Sequence, residues 1–89
     1  MAKKTYKIQE TRFRLYGDSK SKVYEGTLDE LIEIFSYTLE CGRSWEHEKG
    51  NKKINVHPAT AKSLVSNLNK AAQNTGRSFQ SYYYDLLDA

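Results

Sequence analysis

Hydrophobic and polar positions alternate along residues 5–16, and the alternation changes phase within the segment. Tyr6 and Ile8 share one parity, Phe13 and Leu15 the other. A strand has a period of two, so all four cannot lie on one face without a slip. Either a bulge near Glu10–Arg12 restores the phase, or the strand is apolar on different faces in its two halves. Residues 17–21 form a turn, and 22–25, Lys-Val-Tyr-Glu, read as a short returning strand, which together predict a β-hairpin.

The period then changes. Thr27 and Glu30 have the spacing of a capping box, and Asp29 and Glu30 suit the positive end of a helix dipole. Leu28, Leu31, Ile32, Phe35 and Leu39 recur at helical spacing, with Ile34, Tyr37 and Cys41 widening the apolar arc and Gly42 placed as a left-handed stop. This predicts a helix over 28–41. Residues 43–57 lose periodicity around a polar centre with Gly50-Asn51, read as a mobile loop, with Ile54 and Val56 as a brief extended piece. Pro58 suits a first helical position. Ala61, Leu64, Val65, Leu68, Ala71, Ala72 and Thr75 then mark a second helix over 58–75, stopped by Gly76.

The tail 78–88 fits two templates. Phe79, Tyr82, Tyr83, Leu86 and Leu87 match a helix face, whereas three consecutive tyrosines favour a pleated surface. A strand is preferred, because it turns a marginal two-stranded hairpin into a three-stranded sheet. The expected fold is α+β in the order ββααβ, a three-stranded antiparallel sheet packed against two helices, over residues 1–89 as a single domain.

Length supports that picture, since 89 residues suffice for one core but not for a dinucleotide-binding fold. One cysteine, Cys41, excludes an intramolecular disulfide framework and fits a reducing compartment. No apolar run is long enough to span a bilayer. Met1-Ala2-Lys3-Lys4 leads into a polar segment, not a signal-peptide core. The expectation is a soluble, cytoplasmic chain with no membrane association.

The net charge of +3 conceals segregation. Residues 1–24 carry +5, residues 25–48 carry −6, residues 49–79 carry +6 and the last ten carry −2. The first helix is thus acidic and the second basic. The outer face of the second helix offers Lys62, Ser66, Asn69, Lys70 and Gln73, with Asn67 and Asn74 nearby. Lys49, Lys52 and Lys53 precede it and Arg77 follows. Such side chains donate to phosphate and sugar oxygens, so Lys49, Lys52, Lys53, Lys62, Asn69, Lys70 and Arg77 form a candidate surface for RNA, DNA or another polyanion. A merely solvated face has the same composition.

Other constellations carry less. Cys41, His47 and His57 with Glu46 and Glu48 match no zinc spacing. Cys41 falls at a predicted helix C-terminus, where the dipole opposes thiolate formation. His47 or His57 as the base of a nuclease lacks a supporting carboxylate pair. No catalytic residue, metal site or cofactor is assigned, and the chain reads as a non-enzyme. Seven tyrosines among 89 residues are more informative. Tyr82 and Tyr84 share one strand face and Tyr83 the other. Trp45 follows the first helix. Trp45, Tyr82 and Tyr84 are the candidate anchors for a protein partner.

Three segments carry a resemblance. They are Val23-Tyr24-Glu25-Gly26-Thr27-Leu28-Asp29-Glu30-Leu31, then Tyr37 to Trp45, then Ile54-Asn55 with Pro58 to Val65 and Asn67 to Lys70. From residue 22 onward the chain resembles small accessory proteins of tailed bacteriophages. The resemblance implies the cytoplasm of an infected bacterium and a partner that is a host or defence-system protein, such as a CRISPR effector, a toxin or a polymerase. It implies an inhibitor that acts by steric occlusion. The alternative is a small basic RNA- or DNA-binding protein using helix 58–75 and the 49–53 loop. Exposed sheet edges also make a homodimer an open expectation.

Overall fold

The computed structural model describes residues 4–14, 17–75 and 80–87, with Arg14, Gln80 and Ser81 described in their backbone only. The elements are β1 (Tyr6–Arg14), β2 (Lys20–Gly26), α1 (Leu28–Ile34), α2 (Ser36–Ser44), α3 (Ala61–Thr75) and β3 (Gln80–Leu87). The class is α+β as expected. The order is ββαααβ, because the single helix expected over 28–41 is two. The sheet is antiparallel with strand order β2-β1-β3, so the tyrosine-rich tail is a strand beside β1, as preferred from its aromatics.

The phase change in β1 is resolved without a bulge. Pairing runs unbroken from Tyr6↔Gly26 to Arg12↔Lys20 on one side and from Lys7↔Leu87 to Arg14↔Gln80 on the other. The strand therefore turns apolar residues to both faces. Ile8 is fully buried against the helices, while Phe13, of opposite parity, is half exposed on the other face.

The break between α1 and α2 falls at Phe35, whose backbone leaves the helical region at φ −96°, ψ 9°. Hydrogen bonding still crosses it, from Phe35 N–H to Leu31 O at 3.0 Å and from Leu39 N–H to Phe35 O at 3.0 Å. The Phe35 ring sits edge-on to Tyr24 at 4.9 Å and to Tyr84 at 5.6 Å. The bend lets α1 lean on β2 while α2 lies against α3. It also leaves Ile34 and Tyr37, assigned above to the apolar arc, exposed. The capping box at Thr27 is formed, with Glu30 N–H donating to Thr27 Oγ1 at 3.3 Å and Thr27 N–H to Glu30 Oε1 at 2.8 Å.

Gly42 does not stop a helix. It is buried within α2, and a Cβ there would collide with the Cβ and Cα of Ala71 in α3. Its role is close approach of two helices. α3 begins later than residue 58: the Thr60 hydroxyl accepts from Ser63 N–H at 3.0 Å, and Leu64 N–H donates to Thr60 O at 2.9 Å. Thr60 is thus the N-cap, and Pro58 is buried ahead of the helix. The expected stop, Gly76, lies outside the described residues.

The core joins Ile8, Leu31, Phe35, Leu39, Ile54, Leu64, Leu68, Ala71 and Tyr84. Tyr84 donates its hydroxyl to Glu10 Oε2 at 2.8 Å. Burial first, then that hydrogen bond, pushes its phenol well above the ordinary 10.0.

Two outcomes follow. Gly42→Ala gains helix propensity, worth about 0.5–1 kcal/mol, but overpacks the α2–α3 contact, which costs about 1–3 kcal/mol. Urea denaturation should show net destabilisation of about 1–2 kcal/mol. The core holds Tyr84 neutral, so its folded-state value lies above the unfolded one. Its contribution is complete below about pH 10 and is lost as pH rises through the folded value. The urea midpoint should therefore fall more steeply above about pH 10 in the native chain than in Tyr84→Phe.

Candidate binding site

The irregular segment between α2 and α3 is where the structure departs furthest from its polar, glycine-containing sequence. Backbone and side-chain hydrogen bonds hold it at many points. Trp45 N–H donates to Gly42 O at 3.2 Å, Glu46 N–H to Arg43 O at 3.1 Å, and Asn51 Nδ2 to Trp45 O at 2.6 Å. Glu46 Oε2 accepts from Ile54 N–H at 3.0 Å, which turns Ile54 into the core.

Two asparagines of α3 complete the anchoring. Asn74 accepts from Lys52 N–H at 2.9 Å and donates to Lys52 O at 2.6 Å and Gly42 O at 3.2 Å. Asn67 accepts from Asn55 N–H at 2.8 Å and donates to Ser63 O at 2.8 Å. Seven residues apart, they share the inner face of α3 with Ala71 between them. Both are buried, beside the outer polar face and not part of it. The segment is pinned to α3, in contrast to the mobile loop expected, and the piece at Ile54 and Val56 pairs with no strand of the sheet.

Asn69 is also engaged. Its Oδ1 accepts from Tyr84 N–H at 2.7 Å and its Nδ2 donates to Tyr84 O at 3.0 Å. In an antiparallel strand one residue's N–H and C=O point to the same side. Tyr84 therefore turns both away from β1, and the Asn69 amide takes the place of a neighbouring strand. Asn69 is an edge cap, corrected from a candidate polyanion contact.

Anchoring the segment shapes a groove of about 710 Å³. Arg43 of α2, Lys53 of the segment and Lys70 of α3 line it, with Glu46, Asn55 and Ser63 among the polar groups and Ile54 and Val56 on its apolar wall. Lys53 and Lys70 were legible as candidates. Arg43 was not, because it is a lone cation in an acidic block of sequence. Lys49 and Lys52 are exposed on the adjoining turn, and Lys62 is exposed on α3 away from the groove lining. Arg77 lies outside the described residues. Among the described residues the ion pairs are Arg12–Glu10 at 3.4 Å, Arg43–Glu40 at 3.5 Å and His47–Glu48 at 3.8 Å. No described lysine takes part in one.

The anchors expected for a protein partner divide. Tyr84 is 1% exposed and belongs to the core, so it is corrected from a surface anchor. Tyr82 is half-buried on the same, helix-covered side, with the Arg12 guanidinium 5.2 Å from its ring centroid. Trp45 stands half exposed as the C-cap of α2. The tyrosine passed over, Tyr83, faces out. Register places it on the uncovered sheet face with Phe13, Val23 and Leu87, all substantially exposed, beside Thr11 and Gln9. The charged residues of that face are Lys7, Glu25 and Asp85.

Among the described residues no helix is long and apolar enough to cross a membrane, and no three His, Cys, Asp or Glu side chains gather as a metal-ligand set. No family model, no curated protein and no solved structure matches the chain.

Replacing Asn69 by Ala leaves the Tyr84 peptide without its protein partners. Loss of about 1 kcal/mol of stability is expected, with faster amide exchange at Tyr84 measured by NMR.

Proposed function

We propose that this chain is a non-enzymatic binding protein whose uncovered sheet face docks on a partner protein. One observation carries the reading. Phe13, Val23, Tyr83 and Leu87 stand exposed on a single face that no helix covers. Side chains that each withdraw from water on docking favour association roughly in proportion to apolar area. Tyr83 adds a large ring with few rotatable bonds and a hydroxyl for orientation. Lys7, Glu25 and Asp85 give the face mixed charge, which suits a protein surface better than a polyanion.

The resemblance of residues 22 onward to small tailed-phage accessory proteins supplies the partner class, a host or defence-system protein of the bacterial cytoplasm. Inhibition then follows from occlusion. A rigid sheet laid over a working surface excludes the natural ligand and needs no chemistry of its own. Trp45, on the helix side, is not required by this mode.

The test is affinity capture from nuclease-treated bacterial lysate, quantified by mass spectrometry for the native chain and for Val23→Lys/Tyr83→Lys. Both substituted side chains already face solvent, so thermal stability should change little. A partner retained by the native chain and depleted about tenfold or more by the double variant supports the reading, since buried aromatic anchors often exceed 1.4 kcal/mol. Equal retention by both chains removes the sheet face as the interface.

A further inference from the structure

We propose that the groove between α2, the anchored segment and α3 binds the sugar–phosphate backbone of a single-stranded nucleic acid. Three cations converge there from distant parts of the chain. Arg43, Lys53 and Lys70 line one concavity of about 710 Å³, within the range of ligand-sized clefts. Lys53 and Lys70 spend no charge on an ion pair. Arg43 touches Glu40 at 3.5 Å with both side chains more than half exposed. Such a surface pair is weak, so the guanidinium is free to exchange that contact for a bidentate phosphate.

The carboxylate in the groove is Glu46, and one of its oxygens already accepts from Ile54 N–H. Its charge reduces the formal balance of the lining from +3 to +2 and does not reverse it. Asn55 and Ser63 add polar groups beside the cations. Val56, half-buried, offers an apolar surface to a sugar or base edge. Lys49 and Lys52, exposed on the same segment, extend the positive track beyond the groove.

One feature favours a strand over a duplex. The cations line a cleft, whereas reading a duplex groove requires a protruding helix or ribbon. The cleft is also shaped before any ligand arrives, because Asn67, Asn74 and Glu46 hold the segment's backbone. Binding then avoids much of the entropy loss of ordering a loop. Phosphate contacts of this kind position a strand without reading its sequence.

The experiment is an anisotropy titration of labelled oligouridylate and oligothymidylate of about 12 nucleotides, and of a duplex of equal length, across salt. Quenching of Trp45, the sole tryptophan and the neighbour of Glu46 in sequence, is followed in parallel. Expected are binding of both single strands at low salt, weaker duplex binding, and a log–log salt slope of about −2 for three contacts. Lys53→Glu/Lys70→Glu, folded by circular dichroism, should weaken binding about tenfold or more. The milder Lys53→Ala/Lys70→Ala should lower the slope by about 1 to 2. Lys62→Glu and Val23→Lys/Tyr83→Lys should change affinity less than about threefold. No binding at low salt, preference for duplex, or an equal loss in Lys62→Glu and in the groove variants overturns the proposal. The sheet-face variant keeps this outcome separate from the protein-docking reading.

Discussion

Tyr84 is held at three points, and the two layers of the molecule meet through it. Its ring lies edge-on to Phe35, its hydroxyl reaches Glu10 on β1, and its peptide group is taken by Asn69 of α3. Each contact fixes a different relation. The ring packs on Phe35, the residue at which α1 gives way to α2. The hydroxyl, together with the Arg12 guanidinium at 3.4 Å, satisfies a carboxylate that is 6% exposed and limits its desolvation penalty. The peptide contact fixes α3 against the outer edge of β3. Without Tyr84 the sheet would keep its hairpin, but the helices would lose the reference that aligns them.

The same device recurs along α3. Asn67, Asn69 and Asn74 each present a carboxamide to a peptide group elsewhere in the fold. An amide side chain offers the donor and acceptor of a backbone unit, so a helix can pair with irregular or edge backbone as a strand would. Among the described residues no buried side-chain polar atom lacks a partner, which is what a core containing a glutamate and two asparagines requires. The segment before α3 is therefore anchored in part from α3, through Asn67 and Asn74.

Periodicity made the elements legible, whereas their joints were not. The hairpin, the capping box at Thr27 and the stripe Leu64-Leu68-Ala71 follow from local spacing. The strand at 80–87 is one of two templates its sequence fits, preferred for its aromatics. The bend at Phe35 leaves no such mark, because Leu31, Phe35 and Leu39 keep helical spacing through it. Gly42 reads equally as a stop or as a close approach, and only the position of Ala71 decides between them. Asparagines on a helix look solvent-facing by composition, and their partners, Lys52, Asn55 and Tyr84, lie 12 to 22 residues away. The groove was half legible. Lys53 and Lys70 stand in a basic block, but Arg43 joins them only once Gly42 lets α2 pack closely on α3.

The Asn69 cap also makes the sheet asymmetric at its margins. Among the described residues β3 has the Asn69 amide bound to Tyr84, while the other edge strand, β2, has no such cap. A second copy adding a strand would be directed to β2, and an antiparallel β2–β2 contact is its own two-fold mate. Such a pair would turn outward two β3 margins, each interrupted at Tyr84 by the Asn69 amide. One side-chain amide thus interrupts, at Tyr84, the row of free peptide groups that an incoming strand would need.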